Sequence, residues 1–224
     1  VHRQGIYMSR YDLVIFDWDG TIMDSTGLIA RCIQDACREV GVPVPSDEDA
    51  RWVIGLGASA SVRYVAPTLP ADRHAEFANR YRSHYLSREH EAPLFDGIPE
   101  LLAELRSRER RLAVATGKSR RGLDRALEAS GLAPHFEASR CADEGFAKPH
   151  PGMLLALLDA TGVAPSRALM IGDTTHDLEL AANAGVDAVG VTYGAHAGEL
   201  LRERPSRHLA ANVEELRRWL ALHA

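Results

Sequence analysis

The chain has 224 residues, 31 of them acidic and 26 basic, for a formal net charge of −5 with histidines neutral. That balance argues against nucleic acid or an anionic membrane as the main partner, and no apolar stretch approaches membrane-spanning length. Cys32, Cys37 and Cys141 are odd in number and lack a Cys-x-x-Cys spacing, which fits a reducing cytoplasm, and the ten histidines show no paired zinc-ligand spacing.

The first seven residues, Val1 to Tyr7, lack the apolar core of a secretory signal and are given no role. Leu13-Val14-Ile15-Phe16 then reads as a buried strand. Asp17-Trp18-Asp19-Gly20-Thr21 follows it directly, at the strand edge where open α/β sheets bind ligands. Two acids held there, followed by a glycine and a hydroxyl, suit a divalent cation and a phosphoryl group. An ordinary turn uses the same residue types.

From Ser25 to Val40 the apolar residues Leu28, Ile29, Cys32, Ile33, Ala36, Cys37 and Val40 recur at helical spacing, and Gly41, Pro43 and Pro45 end the helix. Ser46 reads as the next cap, with helical patterns through about Val65 and from about Ala71 to Arg88. No convincing strand lies between Asp24 and Pro93. Gly55-Leu56-Gly57 interrupts this stretch, either as a loop that dips into a site or as a plain helix break. Arg51 and Arg63 flank it, and arginine can hold a carboxylate bidentately.

Strands are expected again at Leu112–Ala115, Phe136–Ser139, Leu169–Ile171 and Ala188–Val191, alternating with helices. The alternation predicts an α/β fold with a doubly wound parallel sheet. After the first of these strands, Thr116 offers a hydroxyl, Gly117 permits close approach to an oxyanion, and Ser119 caps the next helix. Lys148 leads into Pro149-His150-Pro151, a segment too stiff for helix. Asp173 sits after its strand as Asp17 does after the first, and Asp177 lies one helical turn on, as a partner in the site or as a cap. His176 reads as a solvated helix-start histidine, with contact to the outer shell of a metal as the alternative. Tyr193-Gly194-Ala195-His196 reads as a solvent-facing connection, with a lid loop as the alternative. The tract Arg106 to Arg111 reads as a cationic helix end.

The ordered set Asp-x-Asp-Gly-Thr, Thr-Gly-Lys-Ser, Lys-Pro and Gly-Asp-x-x-x-Asp resembles the haloacid dehalogenase-like hydrolase superfamily. Phe16 to Ser25 and Leu94-Phe95-Asp96-Gly97 are similar to its phosphoglycolate phosphatase-like members. Trp18 and Gly117 stand where relatives more often carry Leu and Asn, which leaves Gly117 only its backbone N–H as a phosphate donor.

The resemblance implies a catalytic core over residues 1–23 and 94–224, with a helical cap domain over 24–93 that swings at hinges near Asp24–Ser25 and Pro93–Gly97. It implies Mg²⁺ as cofactor, held by the carboxylates of Asp17 and Asp173 and the backbone carbonyl of Asp19, with Asp177 as a ligand or as an acceptor that orients a bound water. Asp17 is the expected nucleophile and Asp19 the general acid and base, in surroundings that disfavour its ionisation. Lys148 offsets charge, and Gly20, Thr116 and Gly117 bind phosphate. The implied partner is a small phosphorylated metabolite, above all 2-phosphoglycolate, acted on by a monomer or homodimer. Phosphatases of a sugar phosphate or pyrophosphate, a sugar-phosphate mutase, and a non-catalytic phosphate-binding or regulatory protein stay open as alternatives.

Overall fold

A computed structural model describes residues 10–224, so the segment 1–7 lies outside the described residues. Strand β1 (Leu13–Phe16) is followed by four helices, α1 (Thr26–Val40), α2 (Asp47–Trp52), α3 (Ala58–Val65) and α4 (His74–Arg88). Strands and helices then alternate: α5 (Ile98–Ser107), β2 (Arg111–Thr116), α6 (Arg120–Ser130), β3 (Ala138–Cys141), α7 (Gly152–Thr161), β4 (Ala168–Gly172), α8 (Thr175–Asn183), β5 (Asp187–Val191), α9 (Gly198–Arg202), β6 (His208–Ala210) and α10 (Val213–His223).

The six strands form one parallel sheet in the order β3-β2-β1-β4-β5-β6, with Phe16 opposite Val114 on one side and Ile171 on the other. This is the expected α/β, doubly wound architecture. Alternate residues of β1 point to opposite faces, as strand geometry requires. Val14 and Phe16 pack with Leu101, Leu105, Leu216 and Leu220 of α5 and α10. Leu13 and Ile15 pack with Leu154, Leu157, Leu178 and Leu180 of α7 and α8. Each fully buried aliphatic side chain contributes about 1.5–3 kcal/mol, so both helical layers are held firmly against the central strands. The chain order reverses between β1 and β4, the switch point where such sheets bind ligands. Asp17, Thr116 and Asp173 leave the sheet at that edge.

Helices α1, α3 and α4 bury their own apolar cluster, which includes Ile29, Ile33, Val62, Val65 and Phe77. Helix α1 ends at Gly41 in the left-handed conformation, and Ser46 caps α2 by accepting from the Asp49 N–H at 3.0 Å. The segments by which this insertion leaves and rejoins the sheet run side by side: Asp24 N–H donates to Pro93 O (2.8 Å) and Phe95 N–H to Ile22 O (3.0 Å).

Two strands differ from expectation. Strand β3 starts two residues later than Phe136, and β6 is a strand that no apolar run announces. Trp18 is fully buried and meets Phe136 edge to face at 6.3 Å, so it packs aside from the sheet edge as a core residue.

Candidate active site

The hydrogen bond from Asp17 N–H to Ile171 O (2.8 Å) continues the β1–β4 ladder past the strand and fixes where the Asp17 side chain emerges. At the end of β4, Thr174 caps α8. Its hydroxyl accepts from Asp177 N–H (3.3 Å), while Asp177 Oδ2 accepts from Thr174 N–H (3.0 Å), a reciprocal capping box. Asp177 is thus both a cap and a member of the site, because its Oδ1 accepts from Lys148 Nζ at 2.6 Å. The same ammonium donates to Asp17 Oδ1 at 2.6 Å. Asp173 accepts from the Thr21 hydroxyl (2.8 Å) and from Ala195 N–H (2.7 Å).

Asp17, Asp173 and Asp177 are all buried and present one oxygen each within 4.8 Å of one another. Counted as ions, three carboxylates and one ammonium leave this buried cluster at −2, which is costly in low dielectric. Burial therefore pushes the Asp17 carboxyl up to about 7, against the pull of Lys148. Burial, then Asp17 and Asp177, hold Asp173 well above the usual carboxylate range. Burial alone would lower Lys148, but the two carboxylates outweigh it and the net shift is upward. Asp17 Oδ2 is buried with no hydrogen-bond partner among the described residues. An all-oxygen donor set with a −2 charge and an orphaned oxygen fits a hard divalent cation.

Asp19 is not part of this cluster. Its Oδ1 accepts from the Ser25 hydroxyl (2.7 Å) and stands 3.0 Å from Lys118 Nζ. Surroundings that disfavour ionisation are expected there, yet the partly buried Lys118 ammonium faces the carboxylate. Lys118 also donates to the Tyr85 hydroxyl (3.1 Å) and lies 4.7 Å from the centre of that ring. The sequence reading gave Lys118 no role, because its partners lie on β1's loop and on α4, far away in the chain.

Thr116 is buried and its hydroxyl accepts from Lys118 N–H (3.2 Å), which shapes the turn after β2. Gly20 has φ +83°, and a side chain on it would overlap the Asp173 carboxylate. Its N–H is engaged by Met23 O (2.8 Å), so the contribution of Gly20 is close approach and not donation. Gly117 meets the insertion: a Cβ there would stand 2.6 Å from Gly55 O. The Gly55-Leu56-Gly57 loop thus lies against Gly117.

Two expectations are corrected. His176 is buried and its Nε2 lies 2.8 Å from Trp52 O; the Tyr193–His196 segment is not solvent-facing. In that segment Ala195 holds Asp173, the Tyr193 hydroxyl donates to Thr21 O (3.2 Å), and His196 is buried. His196 Nδ1 accepts from Thr175 N–H (3.1 Å), which leaves Nε2–H to face Trp52 O at 3.1 Å. The His196 ring stacks on Trp52 at 4.6 Å and 3°. Burial, then His176, lowers His196 to about 4. Arg51 is bound to Asp47 (2.6 Å) and Thr26 (2.8 Å), and Arg63 to Ser59 (2.7 Å), so neither points to a substrate carboxylate.

A cavity of about 490 Å³ opens from Asp17, Asp19, Thr116 and Gly117 toward α1, α3 and α4. Among the described residues no helix is long and apolar enough to cross a membrane.

The family model described as haloacid dehalogenase-like hydrolase matches residues 14–191. The chain is 35% identical over 196 residues to the protein named probable phosphatase IndB of Dickeya dadantii, covering 85% of each chain. It is 33% identical over 214 residues to tyrosine-protein kinase PtkA of Mycobacterium tuberculosis, covering 94% of this chain and 72% of that one. It is 29% identical over 222 residues to phosphoglycolate phosphatase of Vibrio parahaemolyticus, covering 95% and 97%. A haloacid dehalogenase-like family hydrolase from Streptococcus pneumoniae superposes with a TM-score of 0.81 at 26% identity, covering 94% and 98%. The chain belongs to the haloacid dehalogenase-like hydrolase family, as a phosphoglycolate phosphatase-like member. It is a phosphoric monoester hydrolase.

Proposed function

We propose that the chain hydrolyses small phosphate monoesters with Mg²⁺, using Asp17 as nucleophile and Asp19 as acid and base. The observation that carries this reading is Asp17 itself: one oxygen is fixed by Lys148 while the other is buried without a donor among the described residues. An Asp17 carboxylate with one oxygen left open can take a cation or bond to phosphorus. Asp17, Asp173 and Asp177, with the backbone carbonyl of Asp19, would hold the ion. When bound, Mg²⁺ screens charge between the attacking carboxylate and the phosphoryl oxygens.

The chain's own residues do the rest. An Asp17 oxygen bonds to phosphorus as the bond from phosphorus to the ester oxygen breaks. Asp19 hands a proton to that leaving oxygen. It then takes a proton from water as the water attacks phosphorus, which frees Asp17 and inorganic phosphate. Lys118 and Ser25 hold Asp19 in place. Lys148 steadies the charge on Asp17 and Asp177, and Thr116 with the Gly117 N–H faces the phosphoryl oxygens.

We place the protein in a reducing compartment such as the cytoplasm. Burial pushes the Cys32 and Cys37 thiols up to about 11 and Cys141 to about 12, so all three are inert structural thiols. The test is phosphate release from a panel of monoesters that includes 2-phosphoglycolate, the compact substrate suggested by the family resemblance. Turnover should need Mg²⁺, stop with EDTA and be lost in Asp17→Asn. Equal turnover in EDTA, or in Asp17→Asn, would refute the reading.

A further inference from the structure

We infer that the substrate is a phosphate monoester whose alcohol portion is apolar and bulky, larger than that of 2-phosphoglycolate. This rests on the reading above for where the phosphoryl group sits.

The cavity of about 490 Å³ lies within the range of sites that enclose whole small molecules. Its phosphate end is polar: Asp17, Asp19, Thr116 and Gly117. Beyond that end the wall changes character. Ile29, Ile33, Val62, Phe77, Tyr81 and Tyr85 line it, from α1, α3 and α4, and Leu56 joins them from the loop that Gly55 presses against Gly117. Tyr81 and Tyr85 stack with ring centres 6.1 Å apart, a flat aromatic surface next to the Asp19–Lys118 pair. The Tyr81 hydroxyl makes no hydrogen bond among the described residues. Such a wall favours hydrocarbon or an aromatic ring over a solvated anion.

A substrate carboxylate close to the phosphate would need an uncommitted cation. Four cationic side chains line the cavity: Arg82, Lys118, Arg121 and Arg125. Lys118 is held by Asp19 and Tyr85, whereas Arg125 donates to Arg121 O (3.3 Å) and lies 3.7 Å from Glu89 with its buried Nε left without a hydrogen-bond partner among the described residues. Arg82 and Arg121 are exposed. Apart from Arg125 Nε, the side chains named above from α1, α3 and α4 offer apolar contact.

The experiment compares ethyl, butyl and hexyl phosphate with 2-phosphoglycolate on the full chain with Mg²⁺, and measures binding of the matching alkylphosphonates, which cannot be hydrolysed, by calorimetry. The chamber predicts that kcat/KM and phosphonate affinity each rise about fourfold per added methylene, with hexyl phosphate well ahead of 2-phosphoglycolate. Tyr81→Ser and Leu56→Ser, each checked for folding by circular dichroism, should cut the hexyl-to-ethyl ratio about tenfold. Hydrolysis of every ester with no dependence on chain length, no slope in phosphonate binding and a preference for 2-phosphoglycolate would overturn the inference and leave the phosphatase reading intact. A clear slope in phosphonate binding with no ester turned over would support the apolar chamber and refute hydrolysis.

Discussion

Lys148→Met removes the cation that pairs with Asp17 and Asp177 while keeping a side chain of similar length. In the intact protein Lys148 Nζ lies 2.6 Å from both Asp17 and Asp177, and all three are buried. Without it the cluster moves from −2 to −3 when fully ionised. Breaking a buried pair by deleting one partner costs about 3–5 kcal/mol, or roughly 6–20 °C in melting temperature for a chain of this length. The cost should depend on pH in a definite direction. Loss of the ammonium raises the folded-state proton affinity of Asp17 still further above its unfolded value of 3.8. Folded protein then holds a proton that unfolded protein has released, so stability falls as pH rises. In metal-free protein the gap between variant and wild type should be small near pH 5 and widest near pH 8. Mg²⁺ should bind Lys148→Met at least as tightly as wild type by calorimetry, since an opposing charge is gone, while turnover drops about a hundred- to a thousandfold. Urea unfolding across pH, calorimetry and phosphate release give the three readouts. An unfolding gap that does not change with pH, or full turnover in the variant, would refute the reasoning.

Other outcomes follow from the same geometry. In EDTA, burial holds Asp17 at about 7 against 3.8 unfolded, so the stability it contributes is present in acid and is lost as pH climbs to about 7. The full change is about 4 kcal/mol, and Asp17→Asn should abolish that slope and exceed wild type in stability at pH 8; a wild type that is the more stable at pH 8 would contradict it. His196 has the opposite sign: it is held at about 4 against 6.5 unfolded, so stability is lost as pH falls through that window, by about 3 kcal/mol. Urea unfolding of His196→Leu should show that acid loss removed, and an unchanged acid limb would count against the buried contact with Trp52. Gly117→Ala sets a methyl 2.6 Å from Gly55 O, where backbone must move; a loss of about 1–3 kcal/mol is expected, and urea unfolding equal to wild type would show that the Gly55 loop does not rest there.

Much of this arrangement can be read in the chain. The runs Leu13–Phe16 and Leu112–Ala115 and the segment about Leu169–Ile171 are apolar on both faces because they are central strands, and the acids or hydroxyl after each mark the ligand edge. Where both faces are not buried the signal fades. Strand β3 pairs on one side only and its residues are mostly half-buried, and β6 is three residues long at the other edge. The carboxylates announce themselves because each ends a legible strand. Lys118 does not, since its meaning comes from Asp19 and Tyr85, brought to it by β1 and by the helical insertion. His176 and His196 are hidden for the same reason. Their surroundings are assembled around Trp52 from three separate parts of the sequence, so neither periodicity nor local spacing marks them as buried.

The central claim is that Asp17 bonds to phosphorus. The direct measurement is to quench the full chain in acid during turnover of a monoester with Mg²⁺, digest it, and locate any phosphoryl group by mass spectrometry. The account predicts phosphate on the peptide that holds Asp17, absent from Asp17→Asn and absent in EDTA. Rapid turnover with an unmodified Asp17, or with the phosphoryl group on another side chain, would contradict it.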